Sequence, residues 1–293
     1  MNDSNSNGDR AISAPVGLIA GAGRFPILFA ERAKALGVPV VCVGIAGMAD
    51  PALAALCPQF RWLGRLSLGF LVRTFRAHGV RHWTMAGKYH KRVLMQPWLW
   101  WRLLPDLRVL RLLYRRNRDN KDDTLLLALI AELQRDGLEC VSALDVLPEL
   151  LVKPGPLTHR RPTAAELADA AFGWTLAREM GRLDIGQSVM VRHRACLAVE
   201  AIEGTDACIL RAGELCKRAG FTVVKVAKPN QDMRFDVPTF GVQTIENMKR
   251  AGANFLAVEA GKTILIDEAE VVALANAYGL SIVAYTDAEQ PTG

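Results

Sequence analysis

Five short apolar runs in the first half of the chain, residues 16–20, 38–43, 60–63, 80–86 and 139–142, are separated by stretches with helical spacing. Apolar runs this short read as strands buried on both faces, and their alternation with helices predicts a parallel sheet covered on both sides. Right-handed crossovers then make the fold class α/β, with a Rossmann-like doubly wound N-terminal domain. The first run ends in a turn carrying Gly21 and Gly23, and residues 25–36 keep helical spacing until Gly37.

The alternation pauses at residues 151–162, where Pro154, Gly155, Pro156 and Pro162 break both periodicities. This stretch is expected to be a linker, with domains at 15–150 and 163–293 and a disordered tail at 1–14. The tail has no apolar core and does not read as a signal peptide. Thr163 and Glu166 form a T-x-x-E capping box that starts a helix to about Arg182. Beyond it, strands are expected at 188–192, 196–202, 221–227, 254–258, 263–266 and 281–285. A helix fills 206–218, and Asp267 is expected to cap another that ends at Tyr278.

A chain of 293 residues with 51% apolar and 23% charged residues is globular and long enough for two cores. No apolar run reaches the roughly 18 residues of a spanning helix. Six cysteines, at 42, 57, 140, 196, 208 and 216, lack C-x-x-C spacing and read as free thiols of a reducing cytoplasm. The net charge of +6 is unevenly spread. Residues 61–118 hold fourteen Lys and Arg against one acid, Asp106, so the rest of the chain is net acidic. A local basic surface of this kind calls for an anionic ligand.

The segment 228–241, K-P-N-Q-D-M-R-F-D-V-P-T-F-G, follows a strand and so lies at the edge where open α/β folds bind ligands. Asp232 and Asp236 are four residues apart and are accompanied by Lys228 and Arg234. Phosphoryl chemistry uses this set: carboxylates hold Mg²⁺, and the cations neutralise charge on the leaving group. The alternative is a surface loop in which Asp and Arg pair with each other. A second acidic cluster comprises Glu200, Glu203 and Asp206, and Thr205 lies in a Gly–Thr–Asp turn that opens a helix. That turn either cradles a phosphate or is a plain cap by Thr205 or Asp206.

Gly21–Ala22–Gly23 is a strand–glycine–helix turn with Pro26 in the first helical turn. It lacks the third glycine of the dinucleotide fingerprint, and no acid ends the second strand at Val43–Gly44, which argues against NAD. Gly87–Lys88 ends another strand and would face the same crevice. A phosphate-binding P-loop, a serine-hydrolase elbow and histidines with zinc spacing are all missing. The indoles Trp98, Trp100 and Trp101 precede Arg102, Arg108, Arg111, Arg115 and Arg116. That composition suits a lipid headgroup surface or acyl-chain contact, with a core helix carrying solvated arginines as the alternative. The indoles cluster and are not interleaved with the cations, so nucleic acid is not expected as a partner.

These motifs resemble the LpxI-type UDP-2,3-diacylglucosamine pyrophosphatases over nearly the whole chain after the tail. The resemblance rests on Gly17–Leu18–Ile19–Ala20–Gly21 with Gly23 and Pro26, on Gly87–Lys88, and on residues 118–123, 184–188, 200–206, 228–241 and 257–263. It implies a Mg²⁺-dependent hydrolase of lipid A synthesis that makes 2,3-diacylglucosamine 1-phosphate (lipid X) and UMP from an acylated nucleotide sugar bound between two domains. It also implies a family-specific, catalytic C-terminal α/β domain and work at the cytoplasmic surface of the inner membrane; a homodimer is left open. The two readings together assign catalysis to Asp232, Asp236, Lys228 and Arg234, and substrate binding to Gly21, Gly23, Arg24, Phe25, Gly87, Lys88, Thr205 and Gln231. They assign metal to Asp232, Asp236, Glu200 and Asp206, and leave open which aspartate holds it. The rivals are a nucleotide-sugar oxidoreductase and a non-catalytic basic module that binds membrane or RNA.

Overall fold

The computed structural model describes residues 14–87, 106–115, 122–229, 232–234 and 237–291. The chain divides into two compact units, 1–147 and 148–293.

In the first unit, strands β1 (Val16–Ala20), β2 (Val40–Ile45), β3 (Gln59–Leu63), β4 (His82–Ala86) and β5 (Glu139–Cys140) form one parallel sheet in the order β3-β2-β1-β4-β5. This is the Rossmann-like arrangement expected from the alternation. The order reverses direction between β1 and β4, which creates the crevice where such sheets take ligands. All of β1 and most of β2 are buried, as strands covered on both faces must be. Edge strand β3 departs from that pattern: Arg61 and Trp62 are exposed, and a charge on an open edge discourages further pairing.

Helices α1 (Phe25–Ala35), α2 (Leu53–Leu56), α3 (Leu68–Ala77), α4 (Leu107–Arg115) and α5 (Asp122–Arg135) belong to this unit. Phe75 of α3 lies flat on β1, so a Cβ at Gly17 would sit 2.7 Å from its ring. Ser67 caps α3 by accepting from Phe70 N at 3.1 Å. Asp106, the lone acid of the basic stretch, joins α3 to α4. It accepts from Ser67 Oγ (2.9 Å), Gly69 N (2.8 Å) and Val109 N (2.9 Å). Arg108 and Arg76 both pair with Asp136, while Leu107 and Leu110 are exposed.

In the second unit, β6 (Gly155–Pro156), β7 (Ser188–Arg192), β8 (Ala195–Val199), β9 (Thr222–Lys225), β11 (Phe255–Glu259) and β13 (Ser281–Tyr285) form a sheet in the order β6-β13-β11-β9-β7-β8. Its centre, β13-β11-β9, is parallel, and β6, β7 and β8 join antiparallel. Strands β10 (Thr239–Phe240) and β12 (Ile264–Leu265) pair separately. Side chains alternate between two cores, as a period of two requires. Val189, Val191, Val224, Val226, Phe255 and Ala257 face Trp174 and Ala177 of helix α6 (Ala164–Arg182). Met190, Val223, Leu256, Val258 and Ile282 face α7 (Thr205–Leu215), α8 (Val242–Ala251) and α9 (Glu268–Ala277).

The capping box forms, with Thr163 and Glu166 bonding each other's backbone. Asp267 precedes α9 with φ 54° and makes no side-chain cap, contrary to the cap expected there. Residues 151–162, read as linker, pack into the second unit: Val152 N donates to Thr263 O, and Gly155–Pro156 pair with β13. Of the six cysteines, five are buried, Cys196 is exposed and all are free. No helix among the described residues is long and apolar enough to cross a membrane.

Candidate functional site

In the first unit, the loops after β1 and β4 press together at the sheet's reversal point. Gly21 N donates to Ala86 O at 2.8 Å. Gly23 (φ 98°) and Gly87 (φ 97°) adopt backbone that favours glycine. A Cβ at Gly87 would lie 2.7 Å from Ala22 O and 2.9 Å from Pro26 Cγ, so the close approach itself demands glycine. Helix α1 starts here without a side-chain cap, its first turn carrying Phe25, half-buried, and Pro26. Arg24 is exposed and makes two hydrogen bonds to Glu31, at 3.0 and 3.1 Å. An exposed pair of this kind is worth at most about 1 kcal/mol, so it does not lock Arg24 away from a ligand. Lys88 lies outside the described residues, as do Trp98, Trp100 and Trp101.

In the second unit, a buried polar chain runs from the end of β9. Lys225, 5% exposed, donates from Nζ to Thr205 Oγ1 at 2.8 Å. Thr205 in turn donates to Glu200 Oε1 at 2.8 Å, and Ser188 Oγ stands 3.3 Å from the same hydroxyl. The second oxygen of Glu200, Oε2, is buried with no hydrogen-bond partner among the described residues. A buried carboxylate oxygen without a donor costs free energy that a bound cation or donor would recover. Gly186 lies close against the backbone of Glu200: a Cβ there would stand 2.1 Å from Glu200 O.

Thr205 therefore does not cap α7. The cap position is Gly204, at φ 84°, with no side-chain bond. Asp206 is not the cap either; it accepts from Thr244 Oγ1 at 3.0 Å and ties α7 to α8. Glu203 pairs with Arg211 at 2.6 Å.

On the acidic loop, Asp232 is wrapped by Arg234. Oδ1 accepts from Arg234 N (3.1 Å) and Nε (2.9 Å), and Oδ2 from Nη2 (2.6 Å). The guanidinium hydrogen bond is the main reason the Asp232 carboxyl titrates below its ordinary range, although partial burial opposes it. Lys228 bonds Asp184 at 2.7 Å. Gln231 and Asp236 lie outside the described residues. The structure thus joins Lys225 to Glu200 through Thr205, pairs Asp232 with Arg234, and directs Asp206 to Thr244. Among the described residues, no three carboxylate, imidazole or thiol side chains converge as a metal cluster.

Sequence reasoning gave Lys225 no role of its own, nor Glu259, which is 2% exposed at the end of β11. The available signal was a charged residue ending an apolar parallel strand, in T-V-V-K and F-L-A-V-E.

By class this is an α/β protein in which a Rossmann-like unit is joined to a second sheet unit. Family models for the LpxI N-terminal domain and the LpxI C-terminal domain match residues 15–150 and 153–283. A relative from Caulobacter vibrioides, UDP-2,3-diacylglucosamine pyrophosphatase LpxI, is 32% identical over 285 residues, covering 94% of this chain and 99% of that protein. The chain belongs to the LpxI family.

Proposed function

We propose that this chain hydrolyses the diphosphate of UDP-2,3-diacylglucosamine to 2,3-diacylglucosamine 1-phosphate and UMP, a step of lipid A synthesis. The observation that carries the reading is similarity over 94% of this chain and 99% of a protein of that name, with both family domains matched in order. The oxidoreductase and basic-module readings gain no such support. In addition, β2 ends without the acid that a nicotinamide cofactor's ribose would require.

Mg²⁺ is part of the proposal. It takes oxygen ligands and needs only one or two protein carboxylates, keeping water for the rest. Oε2 of Glu200, which has no hydrogen-bond partner among the described residues, is a ligand of that kind. Glu200 would hold the ion, with one further oxygen from Asp232, Asp236 or Asp206 and water for the rest. When bound, the cation would offset the charge of the diphosphate and lower the pKa of water. The chain's own residues do the remaining work. Lys225 and Thr205 keep Glu200 oriented, and Lys228 and Arg234 supply positive charge as the bridging oxygen leaves. The backbone at Gly21, Gly23 and Gly87, with Arg24, Phe25, Lys88, Thr205 and Gln231, binds the nucleotide sugar. The Trp- and Arg-rich stretch before and within α4 meets acyl chains at the cytoplasmic face of the inner membrane.

The test is direct. The purified chain, given UDP-2,3-diacylglucosamine and Mg²⁺, should release UMP and stop on addition of EDTA. No UMP under these conditions refutes the activity, and full activity in metal-free buffer refutes the cation.

A further inference from the structure

A second charged cluster lies at the carboxyl ends of the parallel strands, built on Glu259. Its buried carboxylate accepts from Ala227 N at 2.9 Å, Lys262 Nζ at 2.8 Å and Arg178 at 3.3 Å. One carboxylate cannot neutralise two cations, and a second anion completes the balance. Asp287 gives one oxygen to Arg178 and the other to Lys262 Nζ, the latter at 2.8 Å. With Lys228 and Gln290, these side chains line a cavity of about 420 Å³.

The two acids are not equivalent. Glu259 is locked in β11 and also holds the backbone where the acidic loop departs. The Asp287 side chain is 55% exposed, two residues past β13, in a segment without helix or strand. Its two oxygens bridge a guanidinium and an ammonium, the geometry that two oxygens of a phosphate adopt between Arg and Lys. We propose that Arg178 and Lys262 form an oxyanion subsite for a phosphate monoester, and that Asp287 is its internal, displaceable occupant. Hydrogen bonds from Lys262 and then Arg178 hold the Asp287 carboxyl down at about 2, so it remains an anion, and a competitor, throughout the working pH range. Glu259 stays in place when the occupant changes, keeping both cations aimed at the cavity and the Ala227 N–H fixed.

Phosphate affinity does not depend on the proposed hydrolysis; which ester enters, UMP or the glycolipid phosphate, rests on that reading. The experiment titrates inorganic phosphate, UMP, uridine and 2,3-diacylglucosamine 1-phosphate into the full chain at constant ionic strength near pH 8. It uses wild type, Asp287→Asn and Lys262→Gln, with melting temperature followed in parallel. Asp287→Asn should bind inorganic phosphate about fivefold more tightly, as an ion pair worth about 1 kcal/mol is relieved. Lys262→Gln should bind it about tenfold more weakly, through loss of a charge-assisted bond. If UMP follows the same pattern and uridine does not, the nucleotide phosphate is the occupant. If only the glycolipid phosphate follows it, the sugar phosphate is. A lowered melting temperature for Asp287→Asn with no gain in phosphate affinity makes Asp287 a structural tether and overturns the proposal. Phosphate binding that follows this pattern without UMP release from UDP-2,3-diacylglucosamine leaves the subsite standing and refutes the hydrolase reading alone.

Discussion

Replacing Gly186 with alanine tests whether the position of Glu200 matters for turnover. The new Cβ would stand 2.1 Å from Glu200 O and 2.8 Å from Glu200 C, both backbone atoms. Gly186 does not require left-handed backbone, so the whole effect is steric. The gap must widen by about 1 Å to reach the 3.0–3.4 Å of the tightest real contacts, and Glu200 must move with it. That is enough to break the 2.8 Å bond from Thr205 to Glu200. Overpacking costs about 1–3 kcal/mol, and the stiffer unfolded chain returns about 0.4–1 kcal/mol. A net loss of about 1–2 kcal/mol follows, or roughly 3–6 °C in a unit of this size. A misplacement of about 1 Å at a catalytic carboxylate costs about 100-fold in rate. Single-turnover hydrolysis and melting curves measure both effects. Gly64→Ala is the control, since no atom of the described residues lies within 4 Å of its Cβ. Turnover within about twofold of wild type in Gly186→Ala would show that Glu200 can shift without consequence, and would remove it from the mechanism.

Asp232→Ala and Asp236→Ala should each lower kcat about 100-fold, or about 2.7 kcal/mol, while product still binds; near-normal turnover would reduce the Asp232–Arg234 pair to a surface ion pair. Replacing Trp100 and Trp101 with alanine should raise KM for the acylated substrate more than it lowers kcat, because such contacts bind ground and transition states alike. An unchanged KM with the fold intact would make these indoles core. The Asp106 carboxyl is partly buried, which opposes its charged form, but hydrogen bonds from Gly69, Val109 and Ser67 prevail and hold its pKa below the ordinary value. Its contribution is therefore complete above the ordinary carboxylate pKa and is lost as pH falls through the lower folded value. Asp106→Ala should cost about 1 kcal/mol at pH 7, and the difference from wild type should vanish in acid; a pH-independent difference contradicts the capping role.

The first unit was readable because its evidence is local. Apolar strands, helical spacing and glycine turns each lie within a few residues, and parallel sheets follow from their alternation. The second unit was readable as a list of elements but not as a topology. Periodicity marks β7 and β8 as strands without saying that β7 runs antiparallel to β9. The turn between them depends on a remote residue. His193 and Arg194 take φ 52° and 56° because Asp169, on α6, accepts both their N–H groups. In the same way, proline and glycine density marked 151–162 as irregular backbone, and irregular backbone can still pair with a sheet edge, as β6 does with β13.

The site shows the same limit at the level of charge. Thr205 and Asp206 were legible as helix-start residues, yet their partners come from β9, the residue after β8, and α8, which no spacing rule connects. Lys225 and Glu259 stand at the ends of strands that look apolar, and their partners lie at positions 205, 178 and 262. Burying such charges is expensive, and a well-packed apolar residue is often at least as stabilising as a buried ion pair. Stability alone is therefore a poor reason for Lys225, Glu200 and Glu259 to be buried in this unit, two of them ending parallel strands. Their common position is explained if the edge faces a charged ligand: the sheet holds the charges still, and the ligand supplies a partner for the polar atom that the fold leaves unsatisfied. That atom is Oε2 of Glu200, which is buried and has no hydrogen-bond partner among the described residues.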